Sequence, residues 1–129
     1  MPRKKMAAAR LNQPHSGVPR RSPELDAFVD QFLSTVCDTS RRYILELLAE
    51  PNEKDPSVPY ERRSGEIAEA LGLSSATTSE HLHQLADLHL VVARRQGTAV
   101  YYRLSDHTLV QAFLDLLQAL DRHYQNQPS

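Results

Sequence analysis

Apolar side chains recur at helical spacing in five stretches of this chain and alternate as a ribbon in one. Leu25, Phe28, Val29, Phe32, Leu33 and Val36 follow a three- and four-residue period. The run opens at Ser22-Pro23-Glu24, a capping hydroxyl, a proline at the first helical position and an acid favoured by the helix dipole. Asp38 or Thr39 caps a second helix whose inner face is Ile44, Leu47 and Leu48. Ser64 is expected to cap a third, with Ile67, Ala68 and Leu71 facing inward. Gly72 ends it, because glycine takes the left-handed conformation at little steric cost. Leu73 plugs the gap, and Ser74 caps a fourth helix carrying the stripe Leu82, Leu85, Leu88. Leu90, Val91 and Val92 begin a strand, Arg94-Arg95-Gln96-Gly97 turns it, and residues 100–104 return. Ser105 is expected to cap a last helix with Leu109, Phe113, Leu116, Leu117, Leu120 and Tyr124 along one side. The pattern predicts a mainly α domain with a small β-hairpin: a helix-turn-helix followed by a two-stranded wing.

Such a shape suits laying one helix into the major groove of DNA. The outer side of the fourth helix offers Ser75, Ala76, Thr77, Thr78, Ser79, Glu80 and His83. Small hydroxyls allow close approach and pair with either edge type, and Ala or Thr methyls meet the thymine methyl. On the helix alone, an ordinary polar face is the favoured account; the attached wing reverses that preference. Arg94, Arg95 and Arg103 place positive charge on the ribbon, where a wing meets a minor groove or its flanking phosphates. Arg41 and Arg42 sit in the first turn of the second helix, where cations oppose the dipole; a phosphate contact is one reason for them and simple solvation another. Arg62 and Arg63 precede the third helix and are placed to meet the backbone.

Charge is distributed unevenly. The 129 residues carry a net charge of −1, yet residues 1–21 hold six basic side chains and no acid. The remaining 108 residues set nine basic against sixteen acidic side chains, a balance of −7. An acidic body argues against indiscriminate DNA coating and requires a locally basic binding face. Residues 1–21 read as a basic disordered arm, either adding phosphate or minor-groove contacts or lying solvated. Residues 22–124 form the DNA-binding and dimerisation domain, and 125–129 a C-terminal tail. The three-proline stretch 51–63 is a long loop. No apolar run reaches bilayer length, so no membrane partner is expected. Cys37 is the single cysteine, which fits a reducing cytoplasm and excludes a disulfide framework.

The stretch from Glu66 to Asp106 resembles the winged-helix regulators of the arsenic-repressor (ArsR/SmtB-type) family. The matching pieces are E-x-A-x-x-L-G-L-S from Glu66, T-x-S-x-H-L-x-x-L from Thr77 and R-R-x-G-x-x-V-Y-Y-R-L from Arg94. Upstream, Cys37 to Leu45 is similar to the family's A-D-P-T-R-x-x-I-L. The resemblance covers roughly residues 28–120. It implies a homodimeric repressor of operator DNA, released when a ligand or chemical signal changes the dimer. It also implies groove-facing or base-reading positions for Ser75, Ala76, Thr78, Ser79 and Glu80. Glu80 departs from the pattern, because a carboxylate repels phosphates while accepting from cytosine N4.

The family's metal sites are expected to be absent. Where one site has cysteines, this chain reads Arg62-Arg63-Ser64-Gly65-Glu66. Of the ligands of the other only Asp106 matches; Thr108, Ala119 and Arg122 occupy the remaining positions and cannot make a zinc site. His81 and His83 point different ways on one helix. His107 and His123 lie ~24 Å apart at helical rise and meet only across an antiparallel dimer, with Asp106 or Asp121 nearby; solvated or hydrogen-bonded histidines are the preferred account. Cys37 is expected to be a small buried thiol. No metal or other cofactor is therefore assigned, and no inducer is identified.

Val110 and Leu114 widen the stripe of the last helix beyond what a surface helix needs. A homodimer interface formed by the first and last helices, through Phe28, Phe32, Leu109, Phe113, Leu116, Leu117 and Leu120, is the economical account, and its two-fold symmetry suits a palindromic operator. The expected function is a sequence-specific DNA-binding transcriptional regulator, a repressor. The alternative is a winged-helix adaptor whose acidic body docks a basic protein partner. An enzyme is disfavoured, since no GxSxG, P-loop, HExxH or paired Cys/His centre occurs.

Overall fold

A computed structural model describes residues 20–58, 60–106 and 108–128. Most of the expected N-terminal arm, and His107, lie outside these residues. The element order is α1 (Pro23–Val36), α2 (Thr39–Leu48), β1 (Arg62–Arg63), α3 (Ser64–Leu71), α4 (Ser75–Asp87), β2 (Val91–Gln96), β3 (Ala99–Leu104) and α5 (Thr108–Gln125). The chain divides into two compact units between Ser34 and Thr35.

Most of α1 belongs to the first unit. Ser22 caps it, its Oγ accepting from the Leu25 N–H at 3.1 Å. Leu25, Phe28 and Leu33 on this helix are exposed, and Phe32 is half-buried.

In the second unit Asp38, rather than Thr39, caps α2, accepting from the Arg41 N–H at 2.9 Å. That bond holds the Asp38 carboxyl below its usual range, with the Arg41 and His81 charges acting the same way against partial desolvation. The core of this unit is Ile44, Leu45 and Leu48 from α2, Ile67 and Ala68 from α3, and Leu82 and Leu85 from α4. Val36, Leu88, Leu90, Val91, Tyr102, Val110 and Phe113 complete it. Leu45 takes a core place where Leu47, only half-buried, was expected.

The two helices of the motif end in the same way. Gly72 has φ +68°, with Gly72 N–H donating to Glu69 O and Leu73 N–H to Ala68 O. At the end of α4, His89 takes φ +60°, with its N–H on Ala86 O and the Leu90 N–H on Leu85 O. A histidine thus occupies the left-handed position that glycine normally fills.

The wing is a three-stranded antiparallel sheet in the order β1-β3-β2 rather than a two-stranded ribbon. Arg62 and Arg63, assigned to the loop by sequence, pair with Tyr102 and Tyr101; a two-residue strand is too short to show a period. Gln96 pairs with Ala99 across Gly97-Thr98, and Gly97 has φ +62°, as a tight hairpin requires. Arg94 and Arg95 therefore lie on the strand, before the turn.

Two expected caps are corrected. Ser64 is the first residue of α3, and the Arg63 N–H donates instead to Glu66 Oε1 at 2.8 Å. Ser105 lies three residues before α5, and its buried Oγ has no hydrogen-bond partner among the described residues; its N–H extends the chain pairing to Leu90 O at 3.1 Å. Cys37, expected to be buried, is exposed in the turn between α1 and α2, because Val36 beside it takes the core position. No helix among the described residues is long and apolar enough to cross a membrane.

Candidate nucleic-acid interface

The turn Gly72-Leu73-Ser74 sets α4 against α3, and α2 packs on both. Ser74 Oγ accepts from the Thr77 N–H at 3.1 Å, fixing where α4 starts. The first turns of α4 then present Ser75, Ala76, Thr77 and Glu80 exposed, with His83 exposed one turn on and Ser79 half-buried. Thr78 is a correction. Its side chain is completely buried and its hydroxyl donates to Ser74 O at 2.8 Å. Four residues before Leu82, Thr78 shares the inner stripe, and its hydroxyl satisfies itself on the backbone of the preceding turn. The face that sequence reading gave as one continuous run is therefore interrupted at the helical period.

The arginines divide more sharply. Arg41 turns inward: its Nε donates to Thr35 O, and its Nη1 donates to Gln84 Oε1 and lies 3.2 Å from His81 Nδ1. It braces α2 against the side of α4. Arg42 reaches Thr39 Oγ1 at 3.4 Å. Arg62 lies on the inner face of β1, 3.8 Å from Glu50 and with its guanidinium 4.6 Å from the Tyr60 ring centroid. Arg103 Nη1 donates to Leu104 O at 3.1 Å.

Arg94 is held most fully. Its Nε lies 3.0 and 3.2 Å from the two Glu61 carboxylate oxygens, its Nη2 donates to Glu61 Oε1 at 2.7 Å, and its Nη1 donates to Gln96 Oε1 at 2.8 Å. Its Cζ lies 4.8 Å from the Tyr101 ring centroid. The bond from Arg94 holds the Glu61 carboxyl below its usual range. Arg63 and Arg95 remain exposed, with no ion pair among the described residues.

Glu61 was missed by sequence reading. A single acid in a proline-rich loop carries no periodic signal, and only the register of a two-residue strand brings it to Arg94. Among the described residues no three His, Cys, Asp or Glu side chains come together as a metal site.

A family model, bacterial regulatory protein of the arsR family, matches residues 38–92. This stretch runs from the cap of α2 through the start of β2. The nodulation protein NolR of Rhizobium meliloti is 33% identical over 93 residues, covering 72% of this chain and 66% of NolR. The HTH-type transcriptional regulator KmtR of Mycobacterium tuberculosis is 38% identical over 50 residues, covering 39% of this chain and 38% of KmtR. Among solved structures, the homodimeric winged helix-turn-helix DNA-binding domain Mb0332 of Mycobacterium bovis superposes with a TM-score of 0.69. It is 29% identical, and the match covers 89% of this chain and 98% of that fragment.

Proposed function

This chain belongs to the ArsR family of bacterial regulatory proteins, and from that membership we propose that it is a homodimeric repressor that reads operator DNA with α4. Family and fold are those of DNA-binding transcription regulators, not enzymes. The observation that carries the finer reading is the exposed set Ser75, Ala76, Thr77, Glu80 and His83, displayed on a helix braced at its side by Arg41. Small groups on a rigid helix suit close approach to base edges, and Arg63 and Arg95 supply exposed cations for the backbone. Glu80 selects for a cytosine N4 donor at its position and lowers affinity elsewhere.

The dimer reading is supported by apolar surface. Leu116 and Leu120 on α5 are 52% and 54% exposed, and Phe28 on α1 is 44% exposed. A second copy would cover such residues, as the homodimeric state of Mb0332 suggests by analogy. Leu109 and Leu117, also expected there, are half-buried. Phe113, also expected there, is buried within its own chain.

The signal that releases DNA is proposed to act without the family's two metal sites, since Thr108, Ala119 and Arg122 stand at ligand positions of one and no thiol at those of the other. Fluorescence anisotropy with labelled duplexes from the DNA flanking the gene, at two salt concentrations, tests the reading. Binding selective for one duplex and weakening with salt is expected; absent or salt-insensitive binding overturns it.

A further inference from the structure

The register places Arg94 opposite Tyr101 and Tyr101 opposite Arg63. Opposed residues of neighbouring strands share a face, as do residues two apart along a strand. One face of the wing therefore carries Arg63, Tyr101, Arg94, Gln96 and Arg103, and Glu61, two residues before Arg63, reaches across β3 on that same side. Glu61 is the acid that meets these arginines: it takes Arg94 in a forked contact, and the charge of Arg103 acts on it as well. Arg95, one position along, belongs to the opposite face and has no such partner among the described residues.

A carboxylate and a phosphate offer a guanidinium the same kind of forked acceptor. Glu61 thus fills the place on Arg94 that a DNA phosphate would take. Exchange is open, because the pair is partly solvated, the Glu61 and Arg94 side chains being 23% and 44% exposed. It brings little net gain, however. A phosphate that displaces Glu61 leaves a carboxylate unpaired beside the DNA, where like charges repel.

We propose that Glu61 sets the DNA affinity of the wing by holding Arg94 in place of a phosphate, leaving Arg95 as the hairpin's backbone contact. The inference rests on the DNA-binding reading above and assigns an affinity-limiting role to a residue outside the helix-turn-helix. Removing the charge of Glu61 releases a second cation for DNA, so affinity and counterion release rise together.

The test is a fluorescence-anisotropy titration of a fluorescein-labelled duplex of mixed sequence, since phosphate contacts are sequence-independent. The full chain, Glu61→Gln, Arg94→Ala, their double variant and Arg95→Ala are compared between about 50 and 200 mM salt. Glu61→Gln is expected to bind roughly threefold or more tightly at low salt, with a log–log salt slope steeper by about 0.9, one phosphate contact. Arg94→Ala in the natural background shifts both by less, and the double variant loses the gain. Arg95→Ala weakens binding in the natural chain.

Equal or weaker binding by Glu61→Gln overturns the inference, as does a gain that persists in the double variant. A folded natural chain with no salt-dependent binding overturns the DNA reading itself, which keeps the two failures apart. Arginine Nε–Hε NMR signals of the natural chain give a check that needs no variant. Addition of the duplex should move the Arg95 signal and leave that of Arg94 in place; equal movement of both overturns the inference.

Discussion

The exposed face of α4 and the arginines around it differ in how much of their chemistry is already engaged inside the chain. On α4, Ser75, Ala76, Thr77, Glu80 and His83 project outward. Of the arginines expected on the backbone, Arg41 bonds to Thr35, Gln84 and the neighbourhood of His81, Arg62 lies over Tyr60, and Arg94 is gripped by Glu61. Of that same expected set, Arg63 and Arg95 combine exposure with the absence of an ion pair among the described residues. The difference follows from side-chain length. A serine or alanine on an outward helix position has nowhere else to go, whereas an arginine's long stem reaches acceptors and rings elsewhere in its own chain.

Substituting the engaged and the exposed cation separates these roles most strongly. Arg41→Ala is expected to lower stability by about 2 kcal/mol, the scale for hydrogen bonds made by a charged group. Arg95→Ala should leave the melting temperature within about 2 °C while weakening DNA binding and flattening its salt dependence. Thermal melts paired with anisotropy measure both. A stable Arg41→Ala that loses only DNA affinity would return Arg41 to the backbone contacts.

The adjacent threonines of α4 sharpen the contrast within one element. Thr78→Ala is expected to cost about 1–2 kcal/mol through a lost buried hydroxyl bond and methyl contact. Thr77→Ala should change stability by no more than about 0.5 kcal/mol and act on binding alone. Urea denaturation distinguishes them, and equal costs would contradict the burial of Thr78.

The smallest expected effect concerns the cap beneath Arg41. Asp38→Ala should cost about 1 kcal/mol near neutral pH. Because the folded carboxyl titrates below its ordinary value of about 3.9, the stability it contributes is fully present above that pH. It is lost as pH falls through the lower folded value. The difference in stability between the natural chain and the alanine variant should therefore narrow on acidification below about pH 4; a difference that stays constant would show the carboxylate charge to be irrelevant. Asp38→Asn, which keeps an acceptor, should retain much of the cap without that pH dependence.

Much of this architecture was legible in the chain because it rests on local signals. The helical period, the caps Ser22, Asp38 and Ser74, and the turn glycines Gly72 and Gly97 each act within a few residues, and the motif order around them marks the family. The end of α4 was less legible, since His89 holds a left-handed conformation that its residue type does not announce. Thr78 could have been found: its place four residues before Leu82 puts it on the buried stripe, and attention to the polar run alone obscured that period.

By itself, the sequence determined the winged helix-turn-helix and the family, because periodicity and capping are read from near neighbours. Tertiary structure alone decided which arginines find partners inside the chain. Arg41 meets Gln84 across 43 positions and Arg94 meets Glu61 across 33, and neither partner is marked by any spacing in the chain. A formal charge is a property of a residue, but its availability depends on which acceptors the fold brings within hydrogen-bond reach.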